Sequence, residues 1–286
     1  MDISIEQVKA LRNKTGAGMM DCKQALVETN GNFEKAIEYL RKKGAATSQK
    51  RSERIAKEGL IVAKTNAERN EAAIIEVNCE TDFVGKSDAF KDFAEKISSS
   101  VFELKTNDLA ALMSHKLNGV SIQGLLDETT GKVGEKVEIK RIKYQKADDG
   151  FFCDYNHLGN KVASLVQLKG EKTEQGITLG NDLAMQVVAM NPLSVDRSGI
   201  PSAKIESEKD IYKAQLQNEK KPENIIEKIV SNKVEKFYQE NVLTEQEFVK
   251  EPGKSVSDVI KAISKETGKD YGVKSMIRFQ LGETLS

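Results

Sequence analysis

The chain has 286 residues, 38% of them hydrophobic and 31% charged, which supports about two packed domains and excludes disorder over most of its length. Forty-four basic residues balance 44 acidic ones, so no global field draws the protein to nucleic acid or membrane. Cys22, Cys79 and Cys153 are odd in number and far apart, a pattern of a reducing compartment and not of a disulfide scaffold.

The N-terminus, MDISIEQVKALR, carries charges where a signal peptide needs an apolar run. No apolar stretch approaches the ~20 residues of a membrane helix, so the expectation is a cytoplasmic protein. Three short helices are expected in the first 45 residues. Ser4 and Gln7 stand at capping-box spacing, with Ile3 and Val8 placed as a hydrophobic staple. TGAG (15–18) breaks the first helix. Met19, Cys22 and Leu26 then share one face of the second, which Asn30-Gly31 ends. Phe33, Ile37 and Leu40 mark a third, expected to stop at Gly44. Residues 45–57 lose apolar content and read as an exposed helical linker.

From residue 59 the pattern changes. GLIVAKT and AAIIEVNC flank the polar turn NAERNE and read as a β-hairpin. Phe90, Phe93, Ile97, Val101 and Leu104 line one face of a long helix. Further helices are expected over 108–117 and 121–130, and a strand over 137–144. The theme then recurs: GFFCDY, a turn at NHLGN, and KVASLVQLKG precede a helix over 175–190. Residues 190–240 contain Pro192, Pro201 and Pro222, the last two at expected helix starts. Ile205, Tyr212 and Leu216, then Ile225, Ile226, Ile229, Val230, Val234, Phe237 and Tyr238, form apolar stripes on two charged helices, expected to fold back as an antiparallel hairpin. Its stripe is long enough to suggest a projecting surface for self-association. A helix over 256–267 and a strand, YGVKSMIRFQLG, returning to the second sheet complete the chain.

The fold class expected is α+β. It comprises a three-helix N-terminal domain with linker (1–55), two α+β subdomains with small antiparallel sheets (56–147; 148–189 with 241–286), and the inserted helical hairpin (190–240).

Signals for chemistry are few. His115 and His157 lack neighbours at metal-ligand spacing. Neither a phosphate-binding GxxxxGK[ST] loop nor a GxGxxG between strand and helix is present. Cys79 lies in an apolar strand and reads as a packed thiol. The expectation is no catalytic residue, no metal, no cofactor and no enzymatic activity. One segment departs from this plain picture: ETDFVGKSDAF (80–90) places Phe83 and Val84 beside Asp82 where a tight strand-to-helix loop belongs. Either Asp82 or Ser87 caps the helix with Phe83 in the core, or Asp82 and Phe83 form an exposed tip.

LRNKTGAGMMDCKQAL (11–26) and EVNCETDFVGK (76–86) resemble, in order, two motifs of the elongation factor Ts family, and the resemblance extends over essentially the whole chain. It implies a ubiquitin-associated-like three-helix domain, the two-part core and the coiled-coil insertion. It also implies an exchange factor that promotes GDP release from the translation GTPase elongation factor Tu, with no direct nucleic-acid contact. By motif, Thr81, Asp82, Phe83 and Val84 are implied to intrude beside the partner's magnesium, with Phe83 as wedge. Met19, Met20 and His157 are implied to make further contacts, although the spacing of Met19 with Cys22 and Leu26 also fits core. Gly85 stands where the family often has a β-carbon, and the chain stops where some members continue into a C-terminal helix. A competing reading is an adaptor whose three-helix domain binds a ubiquitin-like or ribosomal protein.

Overall fold

The computed structural model of the chain describes residues 3–219 and 221–283. The first helix, α1 (Ile5–Thr15), starts on a capping box between Ser4 and Gln7 and ends at Gly16 in the left-handed region, as its sequence anticipates. α2 (Met19–Glu28) follows the short loop. Val8, Leu11, Cys22, Ala25, Leu26 and Ala36 bury together to form the small core, with Ile3 and Phe33 at its margin.

The third helix departs from expectation. α3 (Phe33–Arg51) does not stop at Gly44 but continues for seven more residues. Gly44 is buried because the helix passes directly over α7 (Ile122–Val133) there. A glycine is a helix stop only when it can take a left-handed conformation. Here it keeps the helical one and permits close approach instead. The expected 45–57 linker is thus largely a continuation of α3.

Two three-stranded antiparallel sheets make the centre. The first contains β1 (Glu58–Thr65), β2 (Glu71–Cys79) and β5 (Val137–Lys146), in the order β1-β2-β5. The second contains β6 (Phe151–Asn156), β7 (Val162–Lys169) and β8 (Gly272–Gln280), in the order β6-β7-β8. Each sheet is a hairpin joined by a third strand that pairs with the hairpin's second strand after helical segments. The recurrence seen in sequence is therefore a shared topology. The sheets meet face to face through Ile61, Ala63, Ala72, Ile74, Phe152, Ala163 and Leu165.

Helices cover the outer faces. α5 (Asp88–Leu104) lays Phe90, Phe93, Ile97 and Val101 on Ala73, Ile75 and Val77 of β2. Each such large side chain contributes about 1.5–3 kcal/mol when removed from water. α8 (Glu174–Met190) and α11 (Val256–Thr267) cover the second sheet. Because β2 is covered on both faces, it is buried continuously from Ala72 to Cys79 and does not alternate. Its one charged member facing that interior, Glu76, is fully buried and accepts from Arg141 Nε at 2.6 Å.

The helix expected over 108–117 is shorter, α6 (Leu109–Ser114). The chain then turns through the two-residue strands β3 (Lys116–Leu117) and β4 (Val120–Ser121), closed by the left-handed Asn118-Gly119 pair.

α9 (Ser202–Asn218) and α10 (Glu223–Asn241) form the helical hairpin. Ile205, Leu216, Ile226, Val230, Val234 and Phe237 bury one another. The stripe is therefore mostly satisfied within the hairpin, contrary to the expectation of a projecting surface; Ile211 and Ile225 are the apolar side chains it leaves exposed. The root is fastened by Leu193 N–H to Asn241 O (2.8 Å) and Leu243 N–H to Ser194 O (2.9 Å). Arg197 bonds Glu235 and Glu245 and lies 4.2 Å over the ring of Tyr238. Since the hairpin carries its own core, replacing residues 202–240 with a short Gly/Ser linker is expected to leave both sheets folded. Amide NMR spectra of the two should overlay for the sheet residues, and collapse of those peaks would show that the hairpin supports the core.

Candidate functional site

The loop after β2 is built from both ends. Thr81 is extended, and its hydroxyl accepts from Val84 N–H to cap a single turn, α4 (Asp82–Gly85). Thr81 in turn donates two hydrogen bonds to one carboxylate: its N–H reaches Glu135 Oε2 at 2.9 Å and its hydroxyl reaches Glu135 Oε1 at 2.7 Å. At the other end Ser87 caps α5, and its hydroxyl donates to Val84 O at 2.7 Å. The caps are thus Thr81 and Ser87, which corrects the alternative of Asp82; a carboxylate one residue into the turn favours its N-terminal end without capping it.

Between these shoulders two neighbouring side chains part. Val84 packs against the core beneath α5, while Phe83 is 82% exposed. The alternative that buries Phe83 is therefore incorrect. Consecutive residues of a helical turn project about 100° apart, so the turn can bury Val84 while leaving the neighbouring Phe83 clear of the core. Asp82 pairs with Lys86 at 2.6 Å. That hydrogen bond holds its carboxyl below the ordinary range, and the charge of nearby Lys161 acts in the same direction. Gly85 faces Gly59 and Cys79, and a methyl at position 85 would make only ordinary contacts at 3.6 Å. The missing β-carbon therefore leaves no distortion. The Cys79 thiol donates to Thr81 O at 3.1 Å, and burial pushes its pKa up to about 12. It is a packed thiol.

Glu80 ties this loop to α3. Its carboxylate accepts from Lys136 N–H at 2.6 Å and from Arg54 Nη1 at 3.1 Å, with Arg51 3.7 Å away.

A second exposed tip leans on β1, the edge strand whose Gly59 backs the first tip at Gly85. The β6–β7 turn contains His157 and Leu158, and Leu158 is 90% exposed. Asn160 O accepts from Ile61 N–H at 2.7 Å. The Asn156 amide both accepts from Ala63 N–H and donates to Ala63 O, each at 2.8 Å, and Lys161 reaches Glu58 at 2.5 Å. His157 Nδ1 lies 3.3 Å from the Tyr155 hydroxyl. Thus β1 carries Gly59 against Gly85 at one end and the second turn along its length.

Met19 and Met20 begin α2 on the three-helix unit, apart from both tips. Met20 is 77% exposed and Met19 36%. The core reading of Met19 is corrected, because Cys22, Ala25 and Leu26 already fill the packed face and the first turn overhangs it. Among the described residues no group of three or more His, Cys, Asp or Glu could hold a metal ion, and no helix is long and apolar enough to cross a membrane.

A family model described as elongation factor TS matches residues 80–283 of this chain, a span that starts at the tip and runs through the second sheet. The chain belongs to the elongation factor Ts family. It is 45% identical over 286 residues to the elongation factor Ts of Chloroherpeton thalassium, covering 99% of each chain. It is 42% identical over 284 residues to that of Chlorobium phaeobacteroides, covering 98% of this chain and 99% of the relative. The family makes this protein a translation elongation factor with a guanine-nucleotide exchange role.

Sequence reading missed Glu135, Glu80 and Leu158. Glu135 lies 54 positions from Thr81, beyond any local pattern; Leu158, an apolar residue in a polar turn, was there to be noticed. The Glu80 carboxyl titrates below its ordinary value of 4.5, chiefly through the Lys136 N–H and then Arg54. A depressed folded-state value stabilises above the unfolded value and fades as pH falls through the folded one. Glu80→Gln should therefore be less stable than the parent at pH 6–8, and the gap should close in denaturant titrations taken below pH 4.5. A gap independent of pH would mean the carboxylate's charge is irrelevant there.

Proposed function

We propose that this elongation factor Ts acts on elongation factor Tu in the cytoplasm, binding the GDP-loaded GTPase and promoting GDP release and its replacement by GTP. Thr81, Asp82, Phe83 and Val84 form the intruding loop. Phe83 enters between side chains near the partner's magnesium, and Asp82 competes for polar groups there. The magnesium and phosphate contacts belong to the partner, and no acid, base or nucleophile of this chain is required. His157, with Leu158 beside it, and Met20, with Met19, supply further contacts from the second turn and the three-helix unit.

The observation that carries this reading is Phe83 held outward on a turn clamped at Thr81 and Ser87. An exchange factor needs differential binding. It must hold the nucleotide-free GTPase more tightly than the loaded form, and linkage then weakens the nucleotide by the same factor. A rigid protrusion suits that task, since little conformational freedom is lost when it inserts. The units are taken as 1–55, 56–147, 148–189 with 241–286, and 190–240, each of the first three providing one of the contact patches. Homodimerisation through the 190–240 hairpin would rest on Ile211 and Ile225.

Fluorescent-GDP release from elongation factor Tu tests this directly. The parent should accelerate release, whereas an adaptor acting through its three-helix unit would leave the rate unchanged. Phe83→Ala should lower exchange efficiency by about 30- to 150-fold, the loss of an interface anchor worth about 2–3 kcal/mol. Its melting temperature should stay within about 1 °C of the parent, because an exposed side chain supports no core. Full exchange activity in Phe83→Ala would remove the wedge from the account.

A further inference from the structure

The crossing of α3 over α7 is made by two glycines. A β-carbon built on Gly44 would stand 2.9 Å from the backbone oxygen of Asp127, and one built on Gly131 would stand 3.2 Å from the Cα of Gly44. The first distance is closer than side-chain carbons tolerate, and its neighbour is backbone, which cannot swing aside. A mid-helix glycine weakens a helix relative to alanine, and here both helices carry one at the point where they touch. Beside that point the surfaces separate. A cavity of about 260 Å³ opens between the α1–α2 loop, α3 and α7, lined by Lys14, Leu40, Arg41, Glu128 and Lys132 among others. The closest backbone approach between the three-helix unit and the core on this side is thus at the glycine pair, with Lys132 lying over Gly16 as a flexible second touch.

We propose that Gly44 and Gly131 are positioning residues: their close crossing sets the orientation of the three-helix unit so that Met20 and the Phe83 tip engage one partner together. The inference rests on the exchange reading above. Two contact patches on one rigid body act with a high effective concentration for each other, and that advantage is lost when their relative geometry is wrong. Gly44 sits seven residues before the end of α3, and Glu80 bonds Arg54 just beyond that end. The helix is therefore fixed at its far end to the base of the tip, and the glycine pair sets the angle at which it leaves. Pushing α3 off α7 pivots the whole unit without touching either contact patch.

Gly44→Ala separates this role from local packing, because only the orienting role reaches the partner. If Gly44 matters only locally, alanine changes the melting temperature and leaves exchange unaffected. If it sets orientation, the KM for GDP-loaded elongation factor Tu rises on the order of tenfold. The rate at saturating partner stays at the parent value, since the tip itself is intact. Gly131→Ala, with its looser 3.2 Å contact, should show a smaller effect of the same kind. Spin labels on Val27→Cys and Ser99→Cys, with native Cys22, Cys79 and Cys153 buried, report the angle without any partner. The distance distribution should shift or broaden in Gly44→Ala. Unchanged distances and unchanged KM in both alanine variants would overturn the inference. Should Gly44→Ala fail to fold by circular dichroism, Gly131→Ala decides by the same readouts. Should the parent itself fail to release nucleotide, the exchange reading falls while the distance measurement still decides whether the glycines set the angle.

Discussion

The whole site depends on one carboxylate accepting two hydrogen bonds. Glu135 accepts from the N–H and the hydroxyl of Thr81, which frees that hydroxyl's oxygen to cap the turn that follows. Without this anchor, the strand end would have no reason to break at Thr81, and the turn holding Phe83 outward and Val84 inward would lack its first shoulder. Hydrogen bonds to a charged acceptor are about twice as strong as neutral ones. Two of them from the backbone and side chain of one residue also fix its direction. The exposure of Phe83 is consequently a property of the loop's architecture and not of local mobility.

The double-layer core extends that control. Both tips lean on β1, one through the Gly59–Gly85 contact and the other through the paired Asn156–Ala63 bonds and the Asn160–Ile61 bond. A side-chain amide that both donates to and accepts from one residue imitates a strand ladder, so the second hairpin is locked to the first sheet's edge. At the far end of that interface the buried Glu76–Arg141 pair connects with Glu283, and Arg141 stacks 3.8 Å over Phe279. A buried charge left without its partner is costly, so this network binds the C-terminal strand to the first sheet and holds the two halves at one setting.

Much of this was legible in the sequence. β-rich runs bounded by polar turns marked both β-hairpins, and three-to-four periodicity marked the long α5 and the helical insertion, whose helices each have one face that must be covered. The capping box at Ser4 and the Ser87 cap were readable for the same local reason. Gly44 was misread because a glycine signals both a stop and a close approach, and only the position of α7 decides between them. The core alternative for Met19 fails because helical spacing reports a face but not whether anything packs on its first turn. The split between Phe83 and Val84 was left open by the residues alone; Glu135 and Glu80 settle it from partners 54 and 56 positions away. The family motifs pointed to the loop, while the reason it stands up was not in any contiguous stretch.

Entry of the Phe83 side chain beside the partner's magnesium and phosphate contacts can be followed by placing a photoreactive benzophenone amino acid at position 83. The modified protein is mixed with nucleotide-free elongation factor Tu, illuminated, and the joined peptides are mapped by mass spectrometry. The account predicts cross-links confined to the segments flanking the partner's magnesium and phosphate site, suppressed by excess GDP with magnesium. Cross-links elsewhere on the GTPase, or none while a stable complex forms, would contradict it.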